Sequence, residues 1–555
     1  MNDQAHSGSP GVDASADATA YPTLTPTQIT RLSEFGDVHD VGAGEAVFRE
    51  GERFYGLIVV LEGSVEIVYV DQLSGAETVI VTHEPGRFLG ELSLFTGQRA
   101  VVHGRMGSDG RVLRIDQDGF RRLLASDSEI GDIVFAAFMA RRKILREGVA
   151  TGSIRIVGSR HSGRALDLVN YLLRQRVGHQ WIDLDDDGVT ELLADLGLRP
   201  AQTPIVTSGS AVLRNPTIGE LATHLGLVYE ATDLEVFDVV IVGAGPAGLA
   251  AAVYGASEGL KTLLVDSDFI GGQAGTSSRI ENYVGFPSGI SGGDLVERAA
   301  LQAQRLGARI SSPSMVTRIE SAGEGYRLTL ADGAALMARS VVLSPGVQYR
   351  RLPVSRLREF EGAGVYYGAT DVESRVCGAN AVTVVGGGNS AGQAAVFLAE
   401  KGADVTLAIR GADLSSSMST YLIDRIEASP KIRLVKYSEV TELHGDTRLE
   451  DVTITNNQTG VSVRQPCVGL FSFIGTSPST SWLEGFVELD AKGFVLTDSD
   501  LGDVGFEPLP FETSRAGIFA AGDVRAQSMK RVAAAVGDGS SAIRSVHQRL
   551  APTTP

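Results

Sequence analysis

Short apolar runs separated by glycine-containing turns open the chain: Phe54 to Leu61, Val65 to Val70 and Thr78 to Thr82 predict an all-β barrel or sandwich over residues 25–125. The period then changes. Ile130, Ile133, Val134, Ala137 and Phe138 recur at helical spacing, and the last turns of that helix carry Arg141, Arg142 and Lys143, cations that suit a helix C-terminus. From Ile154 to about Leu227, apolar strands (one at Gln180 to Leu184) alternate with helical segments, and Thr203-Pro204-Ile205-Val206 precedes the last strand, predicting a small α/β module. Residues 228–235 read as a short mixed linker. Beyond Val236, strands and helices alternate with many glycines, so the largest part is α/β.

A chain of 555 residues exceeds one core and holds about three or four domains at roughly 150 residues each. Its 43% hydrophobic and 21% charged residues are those of a globular protein. Residues 1–24 form the exception: the start is rich in Ala, Ser, Asp and Gly and reads as a disordered tail, with neither the basic start nor the apolar block of a signal peptide. A net charge of −18 repels the phosphates of nucleic acid and of anionic lipid, so neither is an expected partner. Two cysteines, Cys377 and Cys467, exclude a disulfide framework and a Cys-rich metal site. No metal is expected, a reducing cytoplasm fits, and redox chemistry would rest on a cofactor. The uncharged stretch Val239 to Ser257 has the length of a membrane helix, but its G-x-G-x-x-G with Pro246 predicts strand, turn and helix.

In the β-rich segment, Phe88-Leu89-Gly90-Glu91-Leu92-Ser93-Leu94 is followed by Gln98-Arg99-Ala100. A cyclic phosphate needs backbone N–H groups, a guanidinium and a ribose acceptor, which Gly90 with its neighbours, Arg99 and Glu91 can supply. The alternative is a barrel turn with an exposed Glu and Arg. The run resembles the phosphate-binding cassette of cyclic nucleotide-binding domains, which implies such a domain over residues 25–148, with Gly90, Glu91, Arg99 and Ala100 at the ligand and cAMP preferred as effector. Transcription factors with this domain continue into a helix-turn-helix, whereas here Ile154 opens a strand. DNA binding is therefore not expected.

Residues 153–228 resemble the thioredoxin/glutaredoxin fold, which implies a cis peptide before Pro204. That family carries C-x-x-C at its first helix, where the N-terminus lowers a thiol pKa. This chain reads Gly158-Ser159-Arg160-His161-Ser162-Gly163 there, with His161 taken as a surface loop residue. A docking or coupling element is expected.

Phe237 to Val242 is an apolar strand, Gly243-Ala244-Gly245-Pro246-Ala247-Gly248 a turn and Leu249 to Gly259 a helix, and Asp266 ends the next strand. Gly243, Gly245 and Gly248 let the backbone approach a pyrophosphate at a helix N-terminus, and Asp266 stands where a ribose hydroxyl is accepted. A second set runs Val382 to Val385, then Gly386-Gly387-Gly388-Asn389-Ser390-Ala391. Gly386, Gly388, Asn389, Ser390 and Ala391 would hold a second dinucleotide. Arg410, where an NADH site carries an acid, points to the 2′-phosphate of NADPH; a solvated Arg410, with NADH as the donor, is the alternative. Near the C-terminus, Gly522-Asp523 precedes Arg531-Val532-Ala533 and a small-residue helix, placing an acceptor beside a helix N-terminus.

Together with Gly271-Gly272-Gln273, Glu281-Asn282-Tyr283 and Gly469 through Pro478, these motifs resemble the low-molecular-weight thioredoxin reductase flavoproteins. The resemblance implies a two-Rossmann pair: an FAD domain in two pieces (236–350 and 465–550) and an inserted NAD(P)H domain (351–464). It places Gly272, Gln273, Asn282, Gly522, Asp523, Arg531, Val532 and Ala533 at the flavin, and implies a homodimer, the electron acceptor being oxygen, a quinone or a partner's disulfide, thioredoxin-like or other. One departure decides the chemistry: the family's C-x-x-C is replaced by Gly368-Ala369-Thr370-Asp371, so Gly368 and Asp371 stand where the redox cysteines would be. Cys377 and Cys467 read as isolated. The expected activity is hydride transfer from NAD(P)H to FAD, under cyclic nucleotide control. The alternatives are a true thioredoxin-disulfide reductase using other thiols, and a redox and second-messenger sensor without turnover.

Overall fold

The computed structural model describes residues 18–551, apart from 54, 71–75, 148–153, 161, 187–188, 190–192, 195–196, 210, 230–234, 278 and 370. The chain forms two compact units, residues 1–230 with 310–314, and residues 231–309 with 315–555.

The first unit begins with two antiparallel four-stranded sheets. One runs Asp37–Val41, Gly110–Ile115, Leu57–Glu62, Phe88–Leu89 and the other Ala46–Phe48, His103–Met106, Val65–Val70, Glu77–His83. Leu57 to Val60 are all fully buried, so this strand runs through the core with both faces covered. The helix Ser128–Glu147 buries Ile130, Val134, Ala137 and Phe138, the stripe its periodicity predicts. Arg141 departs from expectation. It is 8% exposed: its Nη1 donates to Glu91 Oε1 at 2.8 Å and its Nη2 to Phe88 O at 3.0 Å. A buried cation needs this pairing, which sequence periodicity does not report. The tail expectation also reaches too far: Ala20, Tyr21 and Leu24 are buried, and Leu24 N donates to Gly86 O. Residues 1–17 lie outside the described residues.

The α/β module follows in the same unit. Its sheet runs Gln180–Asp183, Ile154–Gly158, Ile205–Ser208, Ala211–Arg214, the first pair parallel and the rest antiparallel. The helices Gly163–Arg174 and Ile218–Leu225 bury Leu168, Leu172, Leu221 and Leu225. Ser162 and Thr217 cap them by accepting from Ala165 N and Glu220 N. The Thr203–Pro204 peptide is cis. Residues 310–314 join this module: Tyr171 donates to Ser312 O at 2.9 Å, and Gln175 Nε2 to Ser312 Oγ at 3.1 Å.

In the second unit, Val236–Val242 lies between the parallel strands Thr262–Val265 and Ala335–Leu343, with Ile518–Ala520 parallel to the latter. The stretch Val239 to Ser257 is strand, turn and helix, and no described helix is long and apolar enough to cross a membrane. The inserted domain holds a parallel sheet, Val365–Tyr366, Gly469–Ser472, Ala381–Val385, Asp404–Ala408, Ile432–Val435, beside a three-stranded antiparallel one. The boundary expected at 465 therefore moves. Gly469 pairs with Val382 and Ser472 with Val385, so this strand completes the inserted domain's sheet before the chain returns. A parallel partner is chosen by tertiary packing, and no local signal marks it.

Candidate functional site

Gly243 adopts φ +106°, and a Cβ there would lie 2.1 Å from Ser344 O. At Gly248 a Cβ would lie 1.9 Å from Gly243 O, so helix Pro246–Ser257 packs on its own turn. Gly245 caps that helix and, among the described residues, has nothing within 4 Å of its Cβ position. Asp266 is held at the turn, its Oδ2 accepting from Ala244 N at 2.6 Å and its Oδ1 from Asp268 N and Phe269 N. Burial pushes its carboxyl above the usual range, against the pull of those donors.

The C-terminal motif closes on the same place. Gly522, at φ +78°, would bring a Cβ within 2.8 Å of Ala247 Cβ, and one on Gly539 would reach 2.0 Å from Ala247 O. Helices Val532–Leu550 and Pro246–Ser257 thus meet at contact distance through small residues. A Cβ on Gly272 would lie 3.1 Å from Gly245 Cα, and Gln273 Nε2 donates to Val347 O. Arg531 caps the last helix; Val532 and Ala533 open it. Asn282 is exposed. Burial pushes the Asp523 carboxyl up while Lys530 opposes the shift. Sequence reasoning missed Lys530, whose Nζ donates to Asp523 O and, at 2.6 Å, to Ser528 Oγ. It also missed an aromatic group: Tyr349 stacks on Tyr367 at 6.3 Å and meets Phe473 edge-on at 6.0 Å. Burial, aided by the charge of Asp523, pushes the Tyr349 phenol up to about 12.

The second turn repeats the first with different ornament. Gly386 has φ +139°, and a Cβ there would strike Phe473 O at 2.4 Å. Gly388 caps helix Asn389–Glu400; Asn389 Oδ1 accepts from Ser419 N at 2.7 Å, Ser390 is exposed and Ala391 buried. Arg410 stands exposed past the strand Asp404–Ala408.

Gly368 lies beside the predicted flavin strip: a Cβ there would be 3.4 Å from Thr276 Oγ1, and Thr276 donates to Gln273 O. Asp371 opens the helix Asp371–Cys377, and its side chain lies outside the described residues. Cys377 and Cys467 share a neighbour. A Cβ on Gly469 would lie 2.5 Å from Cys377 Sγ, while Cys467 Sγ donates to Gly469 O at 3.2 Å. Burial pushes these thiols up to about 12 and about 11.

In the first unit the predicted cassette divides. Gly90 takes φ +97° and starts helix Glu91–Thr96, where a Cβ would strike Gly56 O at 2.0 Å. Glu91 is 4% exposed and bound to Arg141, and its Oε2 has no partner among the described residues. Arg99 and Ala100 instead line a pocket with residues of the α/β module, and Arg99 Nη1 donates to Gly51 O at 3.2 Å. His161 lies outside the described residues.

Two glycine turns, each between a strand and a helix, recur at Gly243–Gly248 and at Gly386–Gly388. Residues 237–539 match the pyridine nucleotide-disulphide oxidoreductase family, to which the chain belongs, and residues 38–127 match the cyclic nucleotide-binding domain. The particular likeness is to thioredoxin reductases: that of Streptomyces clavuligerus is 32% identical across 57% of this chain and 95% of its own length. The Treponema pallidum enzyme is 34% identical across 55% and 94%. Among solved structures, T. acidophilum thioredoxin reductase superposes with a TM-score of 0.51 at 31% identity, covering 56% of this chain and 98% of that one. The Lactococcus lactis enzyme in its FR conformation gives 0.51 at 29%, with the same coverage.

Proposed function

We propose that the chain is an FAD-dependent NAD(P)H oxidoreductase that has dispensed with an internal dithiol and answers to a nucleotide effector. The observation that supports this reading is the pairing of two glycine turns, each between a strand and a helix, with Gly368 in place of a redox cysteine. FAD at the first turn and NAD(P)H at the second would supply hydride transfer and its onward delivery. The residues do the positioning. Gly243, Gly245 and Gly248 bring backbone N–H groups to a pyrophosphate, and Asp266 accepts from a ribose hydroxyl. Gly272, Gln273 and Asp523 orient the flavin, with Tyr349, Tyr367 and Phe473 as an apolar wall against water. Arg410 binds a 2′-phosphate, which favours NADPH over NADH.

Gly368 offers no sulfur, so electrons leave to an external acceptor: oxygen, a quinone or a partner's disulfide. The alternative of a thioredoxin reductase working through Cys377 and Cys467 draws on the relatives' names. Against it stands the burial of both thiols, because only a thiolate attacks a disulfide. A cytoplasmic homodimer is part of the proposal. Anaerobic titration with NADPH and, in parallel, NADH tests it: the flavin band is expected to bleach at one equivalent. Flavin that stays oxidised with both donors removes the enzyme reading in favour of a sensor.

A further inference from the structure

The first unit contains a pocket of about 330 Å³, within the range of about 300–1,000 Å³ that small-molecule sites occupy. Glu50, Arg99 and Ala100 line it from the barrel, and Ser208, Thr223 and His224 from the thioredoxin-like module. Ser208 ends the strand Ile205–Ser208, is 1% exposed, and its Oγ has no hydrogen-bond partner among the described residues. A buried hydroxyl in that state is costly unless a ligand completes it.

The walls are fixed across the seam. Arg99 N donates to Leu225 O at 3.1 Å, while Arg53 donates through Nε to Gly97 O at 3.0 Å and through Nη2 to Gly226 O at 2.9 Å. Gly226, at φ +74°, admits no side chain, since a Cβ would lie 3.0 Å from Arg99 N. The Glu50 carboxylate packs on Gly209, where a Cβ would lie 2.2 Å from its Oε1. Burial holds the His224 imidazole below its ordinary value, Glu50 opposing and Arg99 assisting the shift. The lining therefore combines one guanidinium, one carboxylate, two hydroxyls and an imidazole able to donate or accept.

We infer that this seam pocket, rather than the barrel interior beside Glu91, is the effector site, and that it takes a phosphate ester of mononucleotide size. The phosphate pairs with Arg99 and Ser208, and a sugar hydroxyl or base amino group donates to Glu50. The inference rests on the nucleotide-effector reading above and gives it a location. Glu91 is already bound to Arg141, and neither residue lines the pocket. A ligand held by both parts favours the state in which they are docked.

The test uses the full-length flavoprotein. Isothermal titration compares cAMP, cGMP, AMP and inorganic phosphate, and 8-azido-cAMP maps the site by photo-crosslinking. At least one nucleotide is expected to bind about tenfold or more tighter than phosphate. Cross-links are expected in peptides containing Glu50, Arg99, Ser208 or His224. Ser208→Ala, a small change in a buried strand, is expected to weaken binding about three- to tenfold, and Arg99→Gln about ten- to a hundredfold. Cross-links confined to the surroundings of Tyr55 and Glu91 with unchanged affinity in Ser208→Ala overturn the inference, as does phosphate binding as tightly as the nucleotides, or no binding at all. A nucleotide that binds at the seam without changing the rate of flavin reduction supports the site and sinks the regulatory reading instead.

Discussion

At Gly243–Gly248 the residues expected to act together converge on one place; at Gly90–Ala100 they part. Both motifs are glycine-containing turns before a helix, and both require positive φ, +106° at Gly243 and +97° at Gly90. The difference lies in what completes them. The turn at Gly243 is finished by its own backbone and by Asp266, which the adjacent parallel strand delivers to Ala244 N. The cassette is finished by side chains, and a residue fifty positions away, Arg141, claims Glu91. A turn made of consecutive backbone survives reading from sequence. A site made of side chains depends on every competing partner the fold brings near.

The sharpest way to break this contrast is Arg141→Ala, which leaves Glu91 buried and unpaired. Loss of one member of a buried pair costs about 3–5 kcal/mol, so hydrogen exchange in the strands Leu57–Glu62 and Phe88–Leu89 is expected to accelerate strongly while flavin content stays normal. Gly243→Ala attacks the other motif. Its Cβ clash with Ser344 O and left-handed φ are expected to cost about 2 kcal/mol or more, and the protein should purify largely without flavin, as read from its visible absorbance.

A pH test sharpens the view of the barrel core. Burial holds His83 near a pKa of about 3 against an ordinary 6.5. Below pH 6.5 the unfolded chain takes up a proton that the folded barrel refuses, so stability falls with pH by up to about 1.4 kcal/mol per unit until about pH 3. His83→Phe keeps a ring against Tyr21 and is expected to flatten that slope, checked by hydrogen exchange in the strand Glu77–His83 at pH 7.5 and 5.5. Arg410→Ala compares the two dinucleotide turns: KM for NADPH is expected to rise about tenfold, with KM for NADH unchanged. The smallest effect is expected of Cys377→Ser, which should leave electron transfer from NADPH to a quinone within about twofold, because a buried thiol held near pKa 12 supplies no thiolate at neutral pH.

Most of the fold was legible. The helix of Ile130, Val134 and Phe138, the α/β order of residues 154–227 and both glycine turns follow from periodicity and turn chemistry, which act over a few residues. Three features were not. The strand Gly469–Ser472 reads as the start of the returning FAD piece, yet pairs with Ala381–Val385 almost ninety positions earlier. Ala20, Tyr21 and Leu24 sit in a compositional tail but are buried. Ile310–Ser314 belongs to the first unit although the sequence around it belongs to the second.

The sequence by itself determined the two glycine turns between strand and helix, the turn at Gly90 and the missing sulfur at Gly368, because backbone geometry and the absence of an atom are local facts. Only the tertiary structure decided which partners the charged side chains take. It bound Glu91 to Arg141, set Lys530 against Asp523, gathered Tyr349, Tyr367 and Phe473, and joined Arg99 to Ser208 and His224 around one pocket. Charges and hydroxyls interact through space with whatever packing brings near, and in a chain this long those neighbours are seldom neighbours in sequence.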